Sequence, residues 1–176
     1  MASGCDAEGM VDEQGERAFF ESLPRSRGAA TALVCDGAGR VLVVKPTYKP
    51  GWSLPGGVIE QGESPLAACR RECAEEIGFV PVVTRLAGVD WMPPRLHPDG
   101  RAATVFVFAA QMGRRGVGDV RLAVGELSDV ALVAVAELGS YVPAAMLRRV
   151  RACLATSSAV YLEHGWPAAG LEVAQG

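Results

Sequence analysis

The chain has 176 residues, of which 49% are hydrophobic and 21% charged, a balance that suits one compact domain with a real core. Its formal net charge of −3 leaves no basic excess to neutralise many phosphates, which argues against a general nucleic-acid binder but leaves room for a local basic pocket. Five cysteines, an odd number without a CxxC pair, fit free thiols in a reducing compartment better than a disulfide framework or a structural zinc site.

The polar, acidic start MASGCDAEGMVDEQGER lacks the basic and apolar regions of a secretory leader. No apolar run approaches the roughly 18 residues needed to cross a bilayer, so a cytoplasmic protein without a membrane partner is expected. EQGERAFFESLPR suits a short helix or an extended lead-in. GAATALVCD predicts a strand, DGAG a turn and RVLVVKP the hairpin partner. TYKPGWSLPGG is loop-rich, its Pro and Gly setting sharp bends. A helix follows in SPLAACRRECAEEI, with Ser64 as cap, Pro65 in the first helical position and Gly78 in the closing left-handed turn.

Beyond it, VPVVTRLAGVDW reads as a strand, MPPRLHPDGR as a loop and ATVFVFAAQM as a β-prone run. GRRGVGDVRLAVGE is irregular and SDVALVAVAEL returns to strand. SYVPAAMLRRVRACLATS predicts a helix with apolar positions at Val142, Ala145, Met146, Val150 and Cys153. Mixed strands with one central and one late helix favour an α/β domain with helices packed on a mixed sheet.

The central helix carries the chemistry. Leu66, Cys69, Cys73 and Ile77 fall on one face, and the two cysteines read as small core filler. Glu72, Glu75 and Glu76, at i, i+3 and i+4, form a second face. Two such carboxylates about 6 Å apart repel by about 3 kcal/mol at an effective dielectric near 20. They also sit in the last turns, against the helix dipole. Either Arg70 and Arg71 relieve the charge as ion pairs on a solvated face, or a divalent cation with hard oxygen ligands does so.

The surrounding pattern runs Gly57, five residues, Glu63, seven residues, Arg71-Glu72, Cys73, one residue, Glu75-Glu76, one residue, Gly78 and Phe79. It matches the Nudix hydrolase signature at all its fixed positions, with Cys73 in a slot that usually holds a larger apolar residue. WSLPGG before it resembles the usual lead-in. The resemblance implies a Nudix-type α/β/α sandwich with a mixed sheet and a catalytic loop-helix-loop. It places the hydrolase domain at 28–150, between an N-terminal extension (1–27) and a C-terminal helix end and tail (151–176).

The resemblance further implies one to three Mg²⁺ (or Mn²⁺) ions held by Glu72, Glu75, Glu76 and the main-chain carbonyl of Gly56. Arg71 would orient the carboxylates and Glu63 would hold the box loop. Glu126 occupies a loop position where the family often draws a further ligand or a general base; its other reading is a solvated turn residue. Lys45 and Lys49 could contact phosphate or be plain loop lysines. Trp91 could stack on the leaving group or close the sheet edge, and Phe106 is a second stacking candidate. Arg95 and Arg101 are candidates by location alone, and His97 and His164 are read as bystanders. The expected partner is a small-molecule diphosphate, with no nucleic-acid polymer, and a homodimer is possible by the same resemblance. A nucleoside triphosphate or modified nucleotide is the favoured substrate. The alternatives are a sugar, dinucleotide or prenyl diphosphate, or a non-catalytic domain that senses a diphosphate ligand.

Overall fold

The computed structural model describes residues 12–170; Cys5 and the outer parts of both extensions, 1–11 and 171–176, lie outside the described residues. Eleven elements follow in order: α1 (Glu13–Ser22), β1 (Arg27–Cys35), β2 (Arg40–Pro46), β3 (Gly56–Val58), α2 (Pro65–Ile77), β4 (Val82–Met92), β5 (Ala103–Gln111), β6 (Leu127–Ala134), α3 (Ala144–Leu154), β7 (Val160–Glu163) and β8 (Trp166–Pro167). The strands join in one sheet, ordered β6-β2-β1-β5-β4-β7-β8, with β3 paired to the free half of the β1 edge. The β1–β5 and β4–β7 pairings are parallel and the others antiparallel, so the sheet is mixed as expected.

Strand alternation divides the core into two layers. Ala30, Ala32 and Val34 of β1 pack with Phe108 and Ala110 of β5 beneath Cys69, Cys73 and Ile77 of α2. Leu33, Val41, Val43 and Val107 face the other way, against Leu138, Val150 and Cys153 under α3. Each fully buried Val or Leu contributes about 1.5–3 kcal/mol relative to exposure. The result is helix, sheet, helix. α1 forms a helix, the first of its two predicted options, and buries none of its residues.

The sequence pattern assigns no strand after α3, yet β7 pairs with β4 and β8 with β7. Arg85 of β4 secures the connection from α3 into β7: its guanidinium donates to the carbonyls of Cys153 (2.9 Å) and Thr156 (2.8 Å) at the end of α3. Among the described residues no helix is long and apolar enough to cross a membrane.

Candidate active site

The site is built where α2 meets β3. Ser64 caps the helix, its hydroxyl accepting from the Ala67 N–H (3.2 Å), and Gly78 closes it in the left-handed region at φ +79°. Ala68, Cys69, Cys73 and Ile77 are buried, which holds Glu72, Glu75 and Glu76 on the neighbouring face. Two glycines let that face approach the sheet. Gly56 has φ +138°, and a Cβ there would collide with the Ala30 carbonyl oxygen. A Cβ on Gly57 would occupy the space of the Glu72 carboxylate.

Arg71 gathers the acids. Its Nε and Nη2 donate to the two Glu63 oxygens, both at 3.0 Å, as a two-pronged fork. Nη1 donates to Glu72 (3.0 Å) and Glu75 (3.0 Å), and Nη2 also reaches the Val58 carbonyl (3.1 Å). The Glu63 fork lowers the carboxyl pKa, helped by the Glu60 N–H. Glu72 moves the other way: burial raises its pKa despite the bond and charge of Arg71, and the charges of Glu75 and Glu63 add to the rise. Glu76 accepts from the Gly56 N–H at 2.8 Å. Burial pushes it up to about 7; the Gly56 bond opposes this, Glu72 adds to it, Lys49 lowers it and Glu126 raises it.

Two loops close around Glu76. The N–H groups of Arg121 and Ala123 donate to the Ile77 and Glu76 carbonyls, docking the 121–126 loop on the end of α2. Thr47 then ties that loop to the segment after β2, its N–H donating to the Glu126 carbonyl (2.9 Å) and its hydroxyl to the Gly125 carbonyl (2.7 Å). This brings Glu126 and Lys49 within electrostatic reach of Glu76. Lys45 lies over the Trp52 ring (6.0 Å) and Lys49 over Tyr48 (5.5 Å), both lining the groove outside the loop.

The structure thus unites Gly56, Gly57, Glu63, Arg71, Glu72, Glu75 and Glu76, with Gly78 ending their helix. Trp91 stands apart. It sits on β4 beside Thr104 of β5 and Glu163 of β7, three strands from β3 or about 14 Å at ordinary strand spacing. Phe106 packs with the core layer under α2. His164 is a turn residue at φ 53° whose carbonyl accepts from Arg148 (2.9 Å).

A second polar centre had no local signal. Asp90 of β4 is fully buried and Arg149 of α3 nearly so, and they pair at 2.7 Å. The clue available in sequence was an unmatched acid in an apolar strand and an arginine beside Val150 on the apolar side of a helix. Arg27 and His97 adjoin Arg149 around a cavity at the same end of the sheet.

The donor set of the first centre consists of hard carboxylate and carbonyl oxygens, which suits a divalent cation of the Mg²⁺ type. Glu72 and Glu76 converge on the Gly56–Gly57 step, whereas Glu75 is turned to Arg71. Among the described residues, no three His, Cys, Asp or Glu side chains stand gathered for an ion in this arrangement. The chemistry of the donors fits; Arg71 holds part of the set.

A model of the NUDIX domain matches residues 25–154. The chain is 39% identical over 66 residues to an RNA pyrophosphohydrolase of Psychrobacter sp. (strain PRwf-1), covering 36% of this chain and 38% of that protein. It is 36% identical over 84 residues to an ADP-ribose pyrophosphatase of Methanocaldococcus jannaschii, covering 46% and 49% respectively. The matches thus span less than half the length of these curated relatives. The crystal structure of a MutT protein from Methanosarcina mazei Go1 superposes with a TM-score of 0.61 at 22% identity, over 78% of this chain and 100% of that one, and so shares the fold.

Proposed function

The chain belongs to the Nudix family, and on that premise we propose that it hydrolyses a diphosphate bond in a nucleoside diphosphate linked to another group, by attack of water on phosphorus. Nudix hydrolases generally use a divalent metal, and Mg²⁺, with Mn²⁺ as substitute, is the ion proposed here. When bound, such an ion neutralises diphosphate oxygens and lowers the pKa of water. Glu72, Glu75, Glu76 and the Gly56 carbonyl would hold it.

The observation that carries this reading is the pair of half-buried carboxylates, Glu72 and Glu76, whose burial raises their pKa values beside Gly56 and Gly57. A solvated acidic face would have left them fully exposed. Arg71 holds Glu63, Glu72 and Glu75 on one guanidinium, and Glu75 would have to leave it to join Glu72 and Glu76 at the ion. Glu126, exposed at its loop tip, would accept the proton of the attacking water or add an oxygen donor. Lys49 and Lys45 would meet the outer phosphates. Nucleoside triphosphates or modified nucleotides are the proposed substrates.

The test is product analysis with Mg²⁺ against nucleoside triphosphates, their oxidised forms, NDP-sugars, dinucleotide cofactors and prenyl diphosphates, with Glu76→Gln as control. A metal-dependent product lost in the control supports the reading. Ligand binding without turnover of any member would favour a sensing domain instead.

A further inference from the structure

At the foot of the sheet, on the side covered by α3, lies a cavity of about 270 Å³. Its floor is apolar, from Ala29 of β1, Met92 of β4 and Val105 of β5, while Val58 of β3 contributes one wall. Its polar rim is Arg27, His97 and Arg149. The rim is short of acceptors. Among the described residues the Arg27 Nε and Nη2 donors are buried without a hydrogen-bond partner, and so is His97 Nε2, which donates in one tautomer and accepts in the other. Buried N–H groups without partners cost about 1–3 kcal/mol each, so something that accepts hydrogen bonds is expected there.

The charge balance narrows what that is. Arg149 is paired with Asp90 at 2.7 Å. Arg27 Nη2 lies 3.3 Å from an Asp99 oxygen, close enough to neutralise it, although the geometry there makes no hydrogen bond. The two guanidinium charges are therefore matched by two carboxylates, and what is left over is hydrogen-bond donors rather than positive charge. A second anionic group would enter without net attraction; a neutral ring that offers acceptors would not suffer this. The apolar floor and a volume just below the range of about 300–1,000 Å³ for drug-sized ligands suit one planar ring system.

Arg27 adds a geometric requirement. Nε and Nη2 form one edge of a planar guanidinium, two parallel donors that fit two adjacent acceptors. Guanine presents such an edge in O6 and N7, whereas adenine places an N6 amino donor beside N7. The cavity also adjoins the carboxylate site. Val58 lines its wall while the Val58 carbonyl accepts from Arg71, and the Gly56 N–H two residues back donates to Glu76. Two strand residues span about 7 Å, which leaves room for a sugar between ring and diphosphate.

We propose that this cavity receives the nucleobase of the substrate and that Arg27 and His97 are specificity residues selecting a ring with two adjacent acceptors, guanine above adenine. The inference rests on the diphosphate-hydrolase reading for its place in the reaction, but its test does not. Binding of GMP and AMP to the metal-free protein, which requires neither a diphosphate nor catalysis, is measured by titration calorimetry with wild type, Arg27→Met and His97→Gln. Each variant is checked for an unchanged thermal midpoint. GMP is expected to bind at least tenfold more tightly than AMP. Arg27→Met should abolish that preference while AMP affinity stays within about twofold, and His97→Gln should reduce it.

Equal affinity for the two nucleotides in wild type would overturn the proposal, and so would a preference that survives Arg27→Met. The orphaned donors would then serve water. The turnover panel reports separately on the hydrolase reading. A guanine preference in binding with no turnover of GTP would keep the cavity assignment and remove the catalytic one. Turnover with a base preference indifferent to Arg27 would do the reverse.

Discussion

Arg71 and Arg149 are both guanidinium groups that tie a helix to the sheet, and they sit in opposite electrostatic circumstances. Arg149 meets one carboxylate, Asp90, whose other oxygen accepts from the Gly165 N–H (3.1 Å), so charge and hydrogen bonds close on themselves. Arg71 is shared among Glu63, Glu72 and Glu75 at 26% exposure, while Glu76 has only the Gly56 N–H and the more distant Lys49 to offset its burial. The balanced pair staples α3 to β4 and needs nothing more. The unbalanced one keeps carboxylates whose charge the protein itself does not compensate. Burial disfavours the ionised form of these carboxylates, and under the proposed function a bound cation would offset that cost. Matched charge, here buried more deeply, is a structural device.

The largest effect should come from breaking the balanced pair. Arg149→Met leaves Asp90 buried and alone, which is expected to lower unfolding stability by about 3–5 kcal/mol at pH 7, measured by urea denaturation. Adding Asp90→Asn, which keeps an acceptor for Gly165, should restore most of the loss. A single-variant cost below about 1 kcal/mol would mean the pair is not the staple described.

At the unbalanced centre the signs of activity and stability should oppose each other. Glu76→Gln is expected to lower turnover by about two orders of magnitude through a lost ligand oxygen. In chelator-treated protein the same change should stabilise. The folded pKa, about 7, exceeds the 4.5 of an ordinary solvated glutamate. Wild-type stability linked to Glu76 is therefore fully present below about pH 4.5 and is lost as pH rises through 7. The shift corresponds to about 3 kcal/mol at most, and partial solvent access reduces that to about 1–2 kcal/mol. Glu76→Gln should accordingly match wild type near pH 4.5 and exceed it at pH 8. A variant that is inactive and also less stable at pH 8 would place Glu76 among the structural residues.

Gly57→Ala probes the same centre more gently. Its backbone needs no unusual φ, so the added methyl acts on the flexible end of Glu72 rather than on the fold. Turnover should fall about tenfold with stability changed by less than about 1 kcal/mol. A full-activity variant would show that the Glu72 carboxylate works from elsewhere.

What could be read in the sequence was what is determined locally. Ser64, Pro65 and Gly78 mark the ends of α2 by themselves, and the spacing of Glu72, Glu75 and Glu76 follows from helical geometry alone. The strands β1, β2, β5 and β6 announce themselves by unbroken β-branched and apolar runs. The strands left unassigned, β3, β7 and β8, are two to four residues long and exist because β1, β4 and then β7 offer edges to pair with. The Asp90–Arg149 pair spans 59 residues and leaves no periodic trace. The Arg71–Glu75 pair follows from i, i+4 spacing and the orienting role of Arg71 from the family pattern, whereas the geometry of the Glu63 fork depends on how the 58–63 loop folds back over the helix.

The finest test of the contrast concerns Lys49, the lysine whose charge lowers the Glu76 pKa. It stands over the Tyr48 ring on a loop held by Thr47 and contributes no buried packing of its own. Lys49→Met should therefore leave the thermal midpoint unchanged while removing a charge that Glu76 feels through the site. The Glu76 carboxyl resonance, followed by NMR in the metal-free protein, should titrate at higher pH than in wild type. The direction is the informative part: loss of a nearby cation makes a carboxylate harder to ionise. A midpoint that stays put would mean solvent screens Lys49 completely, and its role at the phosphates would go with it. A midpoint that falls would mean that another cation moves in, and Lys45, across the same groove, would be the residue to replace next.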